Sequence, residues 1–188
     1  MSRDTGRKQL RTILRRETIA LHDRLDRAIS RFDRTTVAGY ARFLKIQYAA
    51  RKGAEDWAGQ MLPHALCPPP LASLISADLT QLGRSMPEAE HTAILAGIDT
   101  SSQSAALGAA WVLAGSSLGN RMMLRQVCDA APQMPVAFLS DPAMPQFFAR
   151  LRPLLEEDVR DPAPAIRSAT AMFEHFVQVA LADERLAA

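Results

Sequence analysis

The segment from Gln103 to Ala130 limits the fold more than any other. Its centre, AALGAAWVLAGSSLG (Ala105–Gly119), carries no charged residue and reads as a buried helix. It is shorter than the run of about 18 apolar residues that a bilayer span needs, so other parts of the chain must cover it. Gly115 and Gly119 stand one turn apart within it. Each glycine costs a helix interior roughly 0.8–1 kcal/mol relative to alanine. A close approach to bare backbone is the physical reason to place two there.

The covering elements are also helical. β-branched residues are few and never alternate cleanly, so strand signals are nearly absent. The spacing of apolar residues predicts a first helix from about Arg7 to Ile29 and a second behind a Thr35–Thr36 cap. Pro69 or Pro70 is expected to open a third, LASLISADLTQL, and Pro87 to precede a short one, EAEHTAILAG. The long helix from Gln103 to Ala130 follows. Asp141 with Pro142, and then Asp161, are expected to cap the last two. With 48% hydrophobic residues in 188, this is an all-α fold of six or seven helices around one core. The proline-rich stretches read as turns, and the chain as one domain.

Several function classes lack their motifs. There is no HExxH pair, no GxGxxG behind a strand and no Walker loop. GSSLG (Gly115–Gly119) lacks the strand–turn–helix setting and the spacing of an esterase elbow. Cys67 and Cys128 are far apart and suit free thiols in a cytoplasmic protein. The N-terminus is basic and polar, unlike a secretory signal, and no membrane insertion is expected. Six Lys/Arg and one Asp precede Glu17. That cluster reads either as a solvated helix face or as an attraction for an anion or an acidic partner.

Two helix faces carry candidate chemistry. At 100° per residue, Gly108, Gly115 and Gly119 fall within an arc of roughly 40°, edged by Trp111, Leu118 and Met122. Such a strip serves close helix packing, or it forms a groove for a planar group. Ser116 and Ser117 can bond to carbonyls one turn back and bend the helix there. On the first helix, His22 lies at the edge of the stripe Leu10, Leu14, Leu21, Leu25. Thr18 and Ile29 are close to it in angle, with Arg15 two turns earlier and Asp26 one turn later. An edge histidine is commonly a half-buried polar residue, but neutral imidazole is also the commonest metal ligand. His64, His91 and His175 have weaker settings, in a turn, at the start of a polar helix and in MFEHFVQ.

Three stretches together resemble the heme oxygenase family. Leu14–Arg15–x–x–Thr18–x–x–x–His22–x–x–Leu25–Asp26 resembles its proximal helix, WVLAGSSLGNR (Trp111–Arg121) its kinked distal helix, and SATAMFEHF (Ser168–Phe176) a segment of its last helix. The resemblance implies a single heme oxygenase-like domain over residues 1–188, with 1–8 as a disordered tail. It implies His22 as proximal iron ligand of heme b, with Arg15 meeting a propionate and Asp26 bonded to the imidazole. Thr18, Trp111, Met122 and Phe173 would line the heme. Gly115, Ser116, Gly119 and Asn120 would form the catalytic distal side. The implied activity is oxygen-dependent opening of heme to biliverdin, carbon monoxide and ferrous iron. Its electrons would come from a ferredoxin, flavodoxin or reductase, for iron acquisition or for bilin biosynthesis that supplies a photoreceptor. This sequence departs from the family pattern in three places. Asn120 stands where many members have glycine, Ser116 where some have aspartate, and Ala114 where bacterial versions often have glutamate. The alternatives are a heme-binding or heme-sensing protein that has lost turnover, and a helical interaction or nucleic-acid protein using the basic N-terminus. On the leading reading no nucleic acid is involved.

Overall fold

The computed structural model describes residues 9–115 and 117–186, the side chains of Ser117, Leu118 and residues 184–186 excepted. The basic residues Arg3, Arg7 and Lys8, the tail they belong to and Ser116 lie outside the described residues. The described chain is all-helical, with a single isolated bridge between Gln9 and Asp158.

α1 (Leu10–Ile29) buries Leu10 and Leu14 completely, as its stripe requires. α2 (Val37–Met61) starts at the expected threonine, where the Thr36 hydroxyl accepts from the Gly39 N–H at 3.1 Å. α3 (Ala72–Gln81) forms within the expected stretch LASLISADLTQL, with Leu71 and Leu82 as its caps. Glu55, reaching over from α2, accepts from the Leu71 N–H at 2.7 Å and the Ala72 N–H at 3.2 Å. A distant carboxylate, not Pro69 or Pro70, thus satisfies the donors at this helix start. The helix expected directly behind Pro87 is also corrected. α4 is one turn, Ala93–Ala96, because the Glu90 N–H is bonded to the Ala49 carbonyl and holds the preceding segment, His91 included, against α2.

The long apolar helix is described on either side of Ser116, as α5 (Gln103–Gly115) and α6 (Ser117–Ala130). α7 spans Ala143–Glu156 and α8 Ala163–Leu186. Their start signals are the expected ones. Asp141 accepts from the Met144 N–H at 2.9 Å, and Asp161 from the Ala163 N–H at 3.0 Å. α8 is the spine of the bundle. Both α1 and α5 pack along it while hardly touching each other. One apolar core runs from Leu10 to Val179 through α2, α5 and α7. No described helix is long and apolar enough to cross a membrane.

Candidate ligand cleft

Because α1 and α5 share α8 but stay apart, a cleft of about 460 Å³ opens between them. That volume is within the range of roughly 300–1,000 Å³ usual for ligand sites. α1 supplies its rim through Arg11, Arg15 and His22, all exposed. α8 supplies the floor through Phe173 and Phe176, and α5 with α6 the wall from Trp111 to Met123.

The glycine strip splits into two functions. At Gly108 an added Cβ would lie 2.1 Å from the Ala165 carbonyl oxygen, so this glycine lets the α5 and α8 backbones touch. At Gly115 and Gly119 an added Cβ would meet nothing within 4 Å, and both residues line the cleft. Helix packing accounts for the first glycine but not for the other two.

His22 faces the same cleft. Its Nδ1 lies 3.1 Å from Asp26 Oδ2, across one turn of α1. Nε2 has no hydrogen-bond partner among the described residues. The Phe173 ring stands edge-on to two others, with centroids 6.1 Å from His22 and 6.2 Å from Trp111. One phenyl side chain on α8 therefore bridges the α1 and α5 walls.

The remaining candidates are placed as follows. Arg15, Asp26, Trp111, Phe173 and Asn120 all line the cleft. So does Thr18, but its hydroxyl donates to the Leu14 carbonyl at 2.8 Å, within its own helix. It therefore offers the cleft no free donor. Met122 is a correction. It is 70% exposed and not among the cleft-lining residues, while its neighbour Met123 is. One residue along a helix turns a side chain by 100°, which puts Met123 and not Met122 on the cleft side.

The interior end of the cleft holds polar residues that the sequence reading passed over. Gln47 and Arg51 follow Phe43 at successive four-residue steps on α2, and all three line the cleft. Arg51 is 1% exposed, with its guanidinium 5.4 Å from the Phe138 ring centroid and 5.9 Å from that of Phe176. Its Nε donates to Gln47 Oε1 at 3.3 Å. Burial pulls its pKa down to about 10, against the opposing pull of Glu55 and Asp141, so it stays charged at neutral pH. The signal was present in the sequence, as two polar residues on the apolar face of a helix at spacing four.

His175 is fully buried and takes no part in the cleft. Its Nε2 donates to the Ala50 carbonyl at 2.8 Å, and the Thr92 hydroxyl lies 3.0 Å from Nδ1. Among the described residues no group of three or more His, Cys, Asp or Glu side chains is placed to hold a metal ion. The cleft thus combines one available imidazole nitrogen, bare backbone, aromatic rings and cationic rim residues. No protein-family model matches the chain, and no curated protein matches it.

Proposed function

We propose that the cleft binds heme and that the chain is a heme oxygenase, acting on heme as both substrate and cofactor. The observation that carries this reading is that His22 and the bare glycines Gly115 and Gly119 line one aromatic cleft. A lone imidazole cannot hold a bare metal ion, but it is a sufficient protein ligand for an iron that arrives already coordinated by a macrocycle. The same residues carry the resemblance to the heme oxygenase family described above.

On this reading His22 binds iron through Nε2. Asp26, with Oδ2 3.1 Å from Nδ1, is the neighbour that would orient the ring and raise its basicity. Gly115 and Gly119 let a flat ligand lie against backbone, where a side chain would hold it off. Phe173 and Trp111 contribute apolar surface, and Arg11 with Arg15 at the rim offers positive charge to propionates. When bound, heme supplies the iron that activates dioxygen and the macrocycle that is opened to biliverdin, carbon monoxide and ferrous iron. The described wall from Trp111 to Met123 presents no carboxylate and no histidine, only backbone, apolar side chains and the Asn120 amide. It therefore lacks a strong acid to redirect the chemistry away from the ring edge. Exposed arginines at the rim also suit an acidic electron donor of ferredoxin or flavodoxin type.

The test is direct. Heme added to the purified chain should give a Soret band of an imidazole-ligated complex. Reductant and oxygen should then bleach that band while bilin absorbance grows. A stable Soret band without bilin leaves a binding or sensing protein, and no band at all removes the heme reading.

A further inference from the structure

The cleft has a neighbour. A second cavity of about 250 Å³ lies beside it, between the start of α6 and the start of α7. It opens at Arg121 and Gln146, both exposed, and reaches inward past Leu139 and Met144 to Asn120. Asn120 is the one described residue that lines both cavities, and it is only 8% exposed. A single side-chain amide stands where the two come together.

The linings show what can occupy the second space. Its lining is mostly apolar, from Leu71, Leu139, Met144 and two prolines, with Asn120, Arg121, Asp141 and Gln146 adding polar groups. At roughly 30 Å³ per water-sized molecule there is room in it for several. The cleft's own polar groups, Gln47 and Arg51, are buried at its interior end. Its exposed residues are on the α1 rim and at Gly119. A flat ligand seated on His22 and the glycines covers that rim side.

We propose that the second cavity is the passage by which water-sized molecules reach the interior end of the cleft when a flat ligand fills its mouth, with Asn120 as the gate. This rests on the heme reading. That reaction takes up dioxygen and releases carbon monoxide while its organic substrate or product still occupies the mouth, so a second route is needed.

Carbon monoxide is the probe. The heme-loaded, reduced chain is saturated with it and photolysed, and the second-order rebinding rate is measured for the parent, Asn120→Ala and Gln146→Trp. Gln146 is exposed and lines only the outer cavity, so Gln146→Trp should fold and titrate heme like the parent. It should nonetheless rebind carbon monoxide about fivefold more slowly, while Asn120→Ala rebinds it about threefold faster. Rates for both variants within about twofold of the parent overturn the passage and leave entry through the mouth. A parent chain that gives no Soret band with heme removes the functional reading and the passage with it. The two failures thus appear in different measurements.

Discussion

His22 Nδ1 lies 3.1 Å from Asp26 Oδ2, one helical turn away, and both side chains are more than half exposed. The contact engages one ring nitrogen with a neighbour of the same helix, while the His22 side chain lines the cleft. Because the pair is exposed, His22→Ala should cost the fold no more than about 0.5 kcal/mol. Circular dichroism and melting should therefore stay close to the parent, while the imidazole signature disappears from the heme spectrum. Asp26→Asn should keep the ligand but weaken heme binding by about 10-fold or more, as loss of such an orienting partner does. An unaltered spectrum in His22→Ala would exclude that histidine as the iron ligand.

The two kinds of glycine predict opposite results. Gly108→Ala forces a methyl against the Ala165 carbonyl and should destabilise the chain by about 1–3 kcal/mol. Gly119→Ala meets open space, and the heme-free chain should gain up to about 1 kcal/mol from helix propensity. It should bind heme less tightly all the same, and Gly119→Leu should block it. A Gly119→Leu protein with parental heme affinity and product would show that nothing needs the bare backbone at that position.

Much of this arrangement was legible in the residues. The helix faces followed from apolar spacing, and Thr36, Asp141 and Asp161 announced helix starts because their side chains act locally. Glycine spacing alone could not separate Gly108 from Gly115 and Gly119. What decides is the element across from each, Ala165 in one case and empty space in the other. The stretch LASLISADLTQL forms α3 as its spacing suggests, but the group that meets its first donors, Glu55, lies 16 residues earlier in sequence, where no local signal shows it. Met122 and Met123 stand on opposite edges of the glycine strip, and spacing alone does not say on which edge the cleft opens. Gln47 and Arg51 were overlooked because a polar residue on an apolar face is informative only once a cavity lies in front of it.

Asp78 is fully buried, and its two carboxylate oxygens accept from the Ala137 and Phe138 N–H groups, each at 3.0 Å. This pins the segment before α7 to α3 and sets the Phe138 ring beneath Arg51. Asp78→Ala leaves the buried Phe138 N–H unsatisfied, at about 1–3 kcal/mol, and frees the half-buried Ala137 N–H. Urea titration should show that loss, with Asp78→Asn intermediate because its single amide oxygen replaces only one of the two acceptors. If Asp78→Ala unfolds at the parental urea concentration, water has replaced the carboxylate and the pin is dispensable.

His175 gives the fold a pH dependence whose sign can be worked out. Burial, with a smaller contribution from the charge of His91, lowers its pKa below the ordinary 6.5 in the folded chain, while the bond to the Ala50 carbonyl opposes this. In the unfolded chain the ring titrates near the ordinary value. Below that pH the unfolded state therefore binds a proton that the folded state does not. Stability is complete above it and falls as the pH is lowered, by up to about 1.4 kcal/mol per pH unit until the folded ring also titrates. Glu55 and Asp78 act in the opposite sense, since burial raises their carboxyl pKa values. The parent must therefore be compared with His175→Gln, which keeps a donor for Ala50 and removes the titration. Between pH 7.5 and 5.5 the urea midpoint of the parent should fall further than that of the variant. Equal falls in the two proteins would assign the acid sensitivity to other groups and leave His175 as a neutral pin between α8 and α2.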